Sequence, residues 1–359
     1  MEIEMGVGKA DQIGFEGDAG EYYVWSNSKT PLLSQYKLGA GKLFLRPFGF
    51  ALPHYADSSK IGFLLQGTCT FGLVSPNSRE EKVLRIKKGD VIPLPSGVVS
   101  WCFNGGHTDA VMVFMGETTK ALVPGQFTYF FGAGVLGFLA GFQSEFVGKT
   151  FDLDQKQSDT LINSQHGALL VKLENGTKFP EPNEHIKEKL SATIDDPSGD
   201  HIILKRGGLI NSLTEKNFPT LGEIGLSAKF VRLEGNAMLA PSYVTNGSIQ
   251  IRYVGKGSGW IRVVGSEGKP ALDNRVEEGD LFIVPQYFAT AEIADECGME
   301  VFSIITSSNP IFGELAGSNS VWNALSPVVL RSTLNVSEEF EEVFKSKNTK
   351  SITIVPPST

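Results

Sequence analysis

The chain has 359 residues, 41% of them apolar and 20% charged, with a net charge of −8. That length suits two domains of about 150–180 residues better than one. The acidic balance, with no cluster of Lys and Arg, excludes a nucleic-acid or anionic-membrane surface as the expected partner.

The acidic start, Met1-Glu2-Ile3-Glu4-Met5, lacks the basic and apolar regions of a secretory signal. No stretch reaches the roughly 18 apolar residues of a membrane span. Three cysteines, Cys69, Cys102 and Cys297, are far apart and without a CxxC spacing, and they read as buried free thiols. Together these features give the expectation of a cytoplasmic protein. Further along, a β-rich run from Gly62 turns at Gly67 and continues to Val74, then Lys88-Gly89-Asp90 opens a second strand that Pro95 ends. Gly-Asp is a turn pair, and proline ends a strand because it lacks the ladder N–H. Val91, Pro93 and Pro95 alternate as the buried face of that strand.

The apolar segment from Phe127 to Phe142 is broken by glycines. Within it, Gly132-Ala-Gly134-Val-Leu-Gly137 matches GxGxxG, but no βαβ rhythm follows, so a dinucleotide site is not expected. Helical sequence comes after it, with Asp152 or Asp154 as the capping residue. The Pro-, Glu- and Lys-rich stretch 177–200 reads as a linker. A second β-rich block then runs from Ile251 through Gly257 to Val264, and Gly279-Asp280 opens a strand ending at Pro285. Gly67 to Gly257, Gly89 to Gly279 and Pro95 to Pro285 share one offset of 190 residues. Three landmarks at one offset mark a duplicated domain. The last helical signal has Ser337 as N-cap, acidic residues in its first turn, and Phe340, Val343 and Phe344 on one face. The resulting expectation is an all-β fold of two barrels, each followed by a short helical arm: residues 1–176, a linker at 177–200, and residues 201–359. Helical arms this short have too little core of their own, so a neighbouring chain is expected to cover them.

Gly89-x5-Pro95-x-Gly97-x2-Ser100-x3-Asn104 resembles the second sequence motif of the cupins, in which the Ser100 position is usually histidine. Val284-Pro-Gln-Tyr-Phe-Ala289, Ala316-Gly-Ser-Asn-Ser320-Val-Trp-Asn-Ala-Leu325 and Asn236-Ala-Met-Leu-Ala-Pro241 are similar to the basic-chain half of legumin-type (11S) globulins. Phe138-Leu-Ala-Gly-Phe142 and Gly167-Ala-Leu-Leu-Val171 are similar to the acidic-chain half. The resemblance spans about Gly20 to Lys347. It implies two cupin jelly-roll barrels assembled into trimers through the helical arms, with hexamers as a further step. It also implies a nutrient-reservoir, seed-storage function. Of the features the resemblance implies, none of the three cysteines lies where the bridges of storage globulins start, and the linker from Pro180 to Ser198 contains no Asn-Gly processing site.

Metal-binding cupins use three histidines and a glutamate, a donor set suited to a borderline divalent ion. Here His54 stands alone. Ala56 and Lys60 occupy the second-histidine and glutamate positions and Ser100 the third-histidine position. In the second half, Ser242, Tyr243, Gln250 and Thr290 supply no histidine. No cofactor, no metal and no catalytic residue are expected, with one reservation: a loop path that brings His107 near His54. A small polar or anionic ligand could instead be held by His54, Tyr55, Lys60, Ser100 and Asn104. Three functions therefore stand in order: a non-enzymatic legumin-like storage protein, a cytosolic small-molecule-binding protein, and a germin-like metalloenzyme.

Overall fold

The two Gly-Asp pairs close the same turn in both halves of the chain. In the computed structural model, which describes residues 5–194, 200–348 and 353–357, Gly89 and Gly279 have φ of 90° and 93°. The following aspartates lock each turn: Asp90 accepts from the Lys87 amide at 2.9 Å and Asp280 from the Glu277 amide at 2.8 Å. Gly67 and Gly257 also repeat, with φ of 80° and 75°. Here space adds to conformation, because a Cβ would lie 2.7 Å from the Asp109 carbonyl at the first site and 2.1 Å from the Gly298 carbonyl at the second.

The chain divides into two compact units. One holds the described residues of 10–194 with 218–226; the other holds those of 5–9, 200–217 and 227–357. In the first unit, β1 (Gln12–Gly17) and β2 (Gly20–Val24) precede helix α1 (Pro31–Tyr36). Strands β3 (Leu38–Leu45), β4 (Gly49–Ala56), β5 (Lys60–Gln66) and β6 (Thr68–Val74) follow. Next come β7 (Lys82–Lys87), β8 (Asp90–Leu94), β9 (Val99–Phe103), β10 (Ala110–Glu117) and β11 (Tyr129–Phe131). The arm is α2 (Phe138–Phe151) and α3 (Gln155–Asn163), and β12 (Leu170–Lys172), α4 (Glu184–Leu190) and β13 (Ala192–Thr193) complete the unit.

These strands form two sheets, in the orders β1-β2-β3-β10-β5-β8-β13 and β11-β4-β9-β6-β7, with β12 also on β4. Leu43, Ile92 and Met112 from one sheet meet Phe71, Leu84 and Cys102 from the other in a single core. Each such side chain, fully buried, contributes about 1.5–3 kcal/mol. Strand β8 is buried along its whole length rather than on alternate residues, being paired on both sides by β5 and β13. Much of the stretch expected as linker is folded: Phe179 stacks on Phe103 at 4.0 Å, and Asn183 caps α4 while its own amide donates to Val83. Residues 195–199 of that stretch lie outside the described residues.

The second unit comprises β14 (Asp200–Leu204), β15 (Gly208–Leu213), β16 (Ser227–Leu233), β17 (Met238–Val244), β18 (Gln250–Val264) and β19 (Pro270–Glu277). It continues with β20 (Leu281–Val284), β21 (Ala289–Ile305), β22 (Phe312–Glu314), helices α5 (Val321–Ala324), α6 (Pro327–Leu334) and α7 (Glu338–Lys347), and β23 (Ile354–Val355). Its strands make one ten-stranded sheet. The long β18 and β21 pair along their whole length from Val264↔Ala289 to Gln250↔Ile305, with register shifts near Gly257. The expectation of a mainly β fold of two jelly-roll barrels with helical arms holds.

The caps resolve as chemistry requires. Asp154 is the N-cap of α3, in a reciprocal box with Gln157, whereas Asp152 ends α2 in the left-handed conformation. Ser337 caps α7. Phe340 and Val343 lie exposed, while Glu341 is the buried residue of that helix. The GxGxxG run is the turn between β11 and α2, and Gln143 breaks α2 shortly afterwards with φ of 64°. Cys69 and Cys102 are buried free thiols as expected, but Cys297 is exposed, because β21 turns it outward between Glu296 and Gly298.

Candidate functional site: the two barrel interiors

Strand pairing decides which expected residues meet. His54 on β4 lies directly across from Ser100 on β9, and Lys60 begins β5. All three line a cavity of about 30 Å³ with Tyr22, Tyr129 and Cys102, space for about two waters. Tyr55 points the other way, as alternation along a strand demands, and stacks on Phe130 at 5.0 Å and Phe138 at 6.1 Å. Asn104 also lies outside the cavity. Its buried amide donates to the carbonyls of Leu45 (2.8 Å) and Thr108 (2.9 Å) and accepts from Gly106 (3.0 Å), so it fastens the turn after β9. His107 sits exposed in that same turn and is not among the residues lining the cavity.

Inside the cavity the groups are tightly set. His54 Nδ1 is 2.7 Å from the Leu52 carbonyl, which makes Nδ1 the protonated nitrogen and leaves Nε2 as an acceptor. Burial, and then the neighbouring Lys60 cation, push the imidazole down to about 4, against the opposing pull of that carbonyl. Burial brings Lys60 down to about 7, with the Asp57 charge acting in the other direction. Lys60 Nζ lies over Tyr129 at 4.2 Å, Phe127 at 5.1 Å and Phe114 at 5.7 Å. The Tyr22 and Tyr129 hydroxyls share a 2.6 Å hydrogen bond, and burial raises both phenols.

A divalent metal does not fit this donor set. One imidazole, one serine and a lysine replace three imidazoles and a carboxylate, and the lysine charge repels a cation. Among the described residues no group of three or more His, Cys, Asp or Glu is placed to hold a metal.

The second barrel differs at the same positions. Ser242 lies across from Thr290, the pair that matches His54 and Ser100, and Gln250 stands 190 residues after Lys60. Arg252 and Glu292, at the offsets of Gly62 and Cys102, form a buried ion pair. Gln250 Oε1 accepts from Arg252 Nη2 at 2.8 Å. The outer oxygen of Glu292 and the hydroxyl of Thr290 have no hydrogen-bond partner among the described residues. Lys229, also buried, lies over Phe312 at 4.4 Å and is brought to about 7 by burial and then by Arg252. Sequence reasoning missed this network. The signal was present as two charged residues at the repeat positions of Gly62 and Cys102.

The cupin family model matches residues 6–159 and 193–342, one stretch for each barrel. The chain belongs to the cupin family. This cupin is 26% identical to a 13S globulin seed storage protein of Fagopyrum tataricum, over 92% of the chain and 82% of that protein. It is 24% identical to glutelin type-A 2 of Oryza sativa subsp. japonica, over 82% of the chain and 76% of that protein. The recombinant pro-11S globulin of pumpkin shares the fold, with a TM-score of 0.91 at 24% identity, covering 100% of this chain and 99% of that one. The two cupin barrels are thus of the legumin type, as the sequence resemblance implied. The same relatives overturn the expectation of a cytoplasmic location: seed storage globulins are kept in storage bodies reached by the secretory route. That expectation rested on the acidic first residues and the scattered cysteines, neither of which determines where a protein is kept.

Proposed function

We propose that this cupin is a non-enzymatic seed storage globulin, a nutrient reservoir that assembles from identical chains through its helical arms. The observation that carries the reading is the likeness to proteins named seed storage globulins over 92% of the chain. The barrel interiors support it, since neither offers the donor set of a metal-dependent cupin enzyme. The arms support the assembly. Phe138, Phe142, Phe146 and Phe151 are exposed on the first, and Val328, Val329, Phe340 and Val343 on the second. Large apolar side chains left exposed together on short helical arms mark a protein interface. One arm of each chain set against the other arm of the next gives a closed ring, here a trimer, with stacked hexamers as the further step.

Quantitative immunoblotting through seed maturation and germination tests the storage role. Accumulation followed by depletion is expected, and a low constant level would sink it. Analytical ultracentrifugation tests the assembly: Phe146→Glu and Phe340→Glu should each yield monomers. Elemental mass spectrometry of protein purified without a histidine tag should find far less than one metal atom per chain.

A further inference from the structure

Lys60 is the group that a storage role leaves unused. It is 4% exposed, and among the described residues it has no hydrogen-bonded acceptor and no ion-pair partner. Asp57 acts on it only through space, because its carboxylate is held by the amides of Leu122 (3.0 Å) and Thr128 (3.2 Å) and by the Ser58 hydroxyl (2.7 Å). Aromatic faces attract an ammonium, but they do not replace the hydrogen bonds it leaves behind in water. The equivalent position of the second barrel is Gln250, so the fold does not need a cation there.

The surroundings define what would complete it. The hydroxyl of Ser100, a residue 7% exposed, makes no hydrogen bond among the described residues, and Ser100 lines the same cavity. Lysine and serine together supply donors for two oxygen atoms. The remaining wall is apolar, with Leu43, Ala51, Leu94 and Leu169. A phosphate or a dicarboxylate brings more charge than one lysine balances. A neutral amide presents its own donors to an ammonium.

We infer that the interior of the first barrel binds a small monocarboxylate of about acetate size, with its oxygens on Lys60 Nζ and Ser100 Oγ and its short apolar end against Leu43 and Leu94. This assignment is independent of the storage role. The ionisable groups facing Lys60 are His54 on β4, Asp57 before β5, Tyr22 on β2, Tyr129 on β11 and Cys102 on β9. Between pH 6 and 9 His54 stays neutral, Asp57 stays ionised, and burial holds the two phenols and the Cys102 thiol in their protonated forms. Lys60 is the group of this set that changes charge in that window.

Isothermal titration of the whole chain with acetate and with acetamide, at pH 6 and pH 9 in a carboxylate-free buffer, tests the inference. Acetate should bind at pH 6 and weaken about a hundredfold by pH 9, tenfold for each unit above the lysine pKa. Acetamide should not bind at either pH, and Lys60→Met should abolish acetate binding while retaining the wild-type circular dichroism spectrum. Equal binding of acetate and acetamide, acetate binding unchanged between the two pH values, or no acetate binding to the wild-type chain would each overturn it. The pH and amide comparisons stand without the variant.

Discussion

The two barrels share their turns and their register but not the chemistry of their interiors. In the first, the inward positions of β5 and β9 hold Lys60, Gly62, Ser100 and Cys102; in the second, β18 and β21 place Gln250, Arg252, Thr290 and Glu292 there. One interior keeps a lone lysine among rings beside a small cavity, and the other carries a buried Arg–Glu pair with a hydrogen-bonded glutamine. Both retain one buried lysine, Lys60 or Lys229, on different strands. The comparison teaches that turns and strand pairing fix which residues face inward, while the identity of those residues remains free so long as charges are balanced or kept beside space.

The largest expected effect comes from unbalancing the second interior. Glu292→Ala strands Arg252 as a buried charge and should cost about 3–5 kcal/mol, whereas replacing both partners with Met and Leu should be close to neutral. Urea unfolding of the three proteins checks this, and a small loss in the single variant would break the contrast between the barrels.

Next is the pH dependence set by the lysines. Each folded-state pKa is near 7 against an ordinary 10.5, so the unfolded chain binds protons more tightly and stability rises as pH goes from 7 toward 10. The gain is of the order of a few kcal/mol for each lysine. Lys60→Met and Lys229→Met should each flatten part of the rise in thermal melts between pH 7 and 9.5. On the acid side, His54 near 4 lies below its ordinary 6.5. It therefore takes stability away as pH falls from 6.5 to 4, and His54→Gln should remove that slope.

A smaller effect separates the two kinds of repeated glycine. Gly67→Ala must adopt a positive φ and press its Cβ on the Asp109 carbonyl, costing about 1–3 kcal/mol. Gly89→Ala meets nothing closer than 3.8 Å and should cost about 1 kcal/mol. Gly257→Ala and Gly279→Ala should repeat that order in the second barrel. Smallest of all, Asp154→Ala opens the capping box and should lose about 1 kcal/mol or less, read as weaker helix signal in the first arm.

The frame was legible because local chemistry specifies it. Gly67 and Gly89 need left-handed backbone, Asp90 and Asp280 close turns, and Ser337 caps a helix, each recorded in the letters around it. The cavity was half legible. His54 and Ser100 meet because β4 pairs with β9, and Lys60 reaches the same cavity from β5 of the other sheet, while Tyr55 falls on the opposite face by strand alternation. Asn104 is spent on its own turn, which its spacing from Ser100 does not reveal. Tyr22 and Tyr129 were hidden, because they join distant strands and no local pattern records a long-range contact, whereas the Arg252–Glu292 pair was recorded only in the repeat, as charges where the first barrel has Gly62 and Cys102.

The long pairing of β18 with β21 also bears on how the second unit forms. Its inner pair, Val264 and Ala289, joins residues 25 apart, while its outer pair, Gln250 and Ile305, joins residues 55 apart, and the longer loop costs more to close. Strand β16 pairs on one edge with β15, starting from Leu213↔Ala228, while its other edge waits for β21, where Ser227 meets Ile305. Long-range pairing of that kind is slow. In pulse-labelling hydrogen exchange during refolding, amides of the local β14–β15 hairpin should therefore gain protection before those that pair β16 with β21.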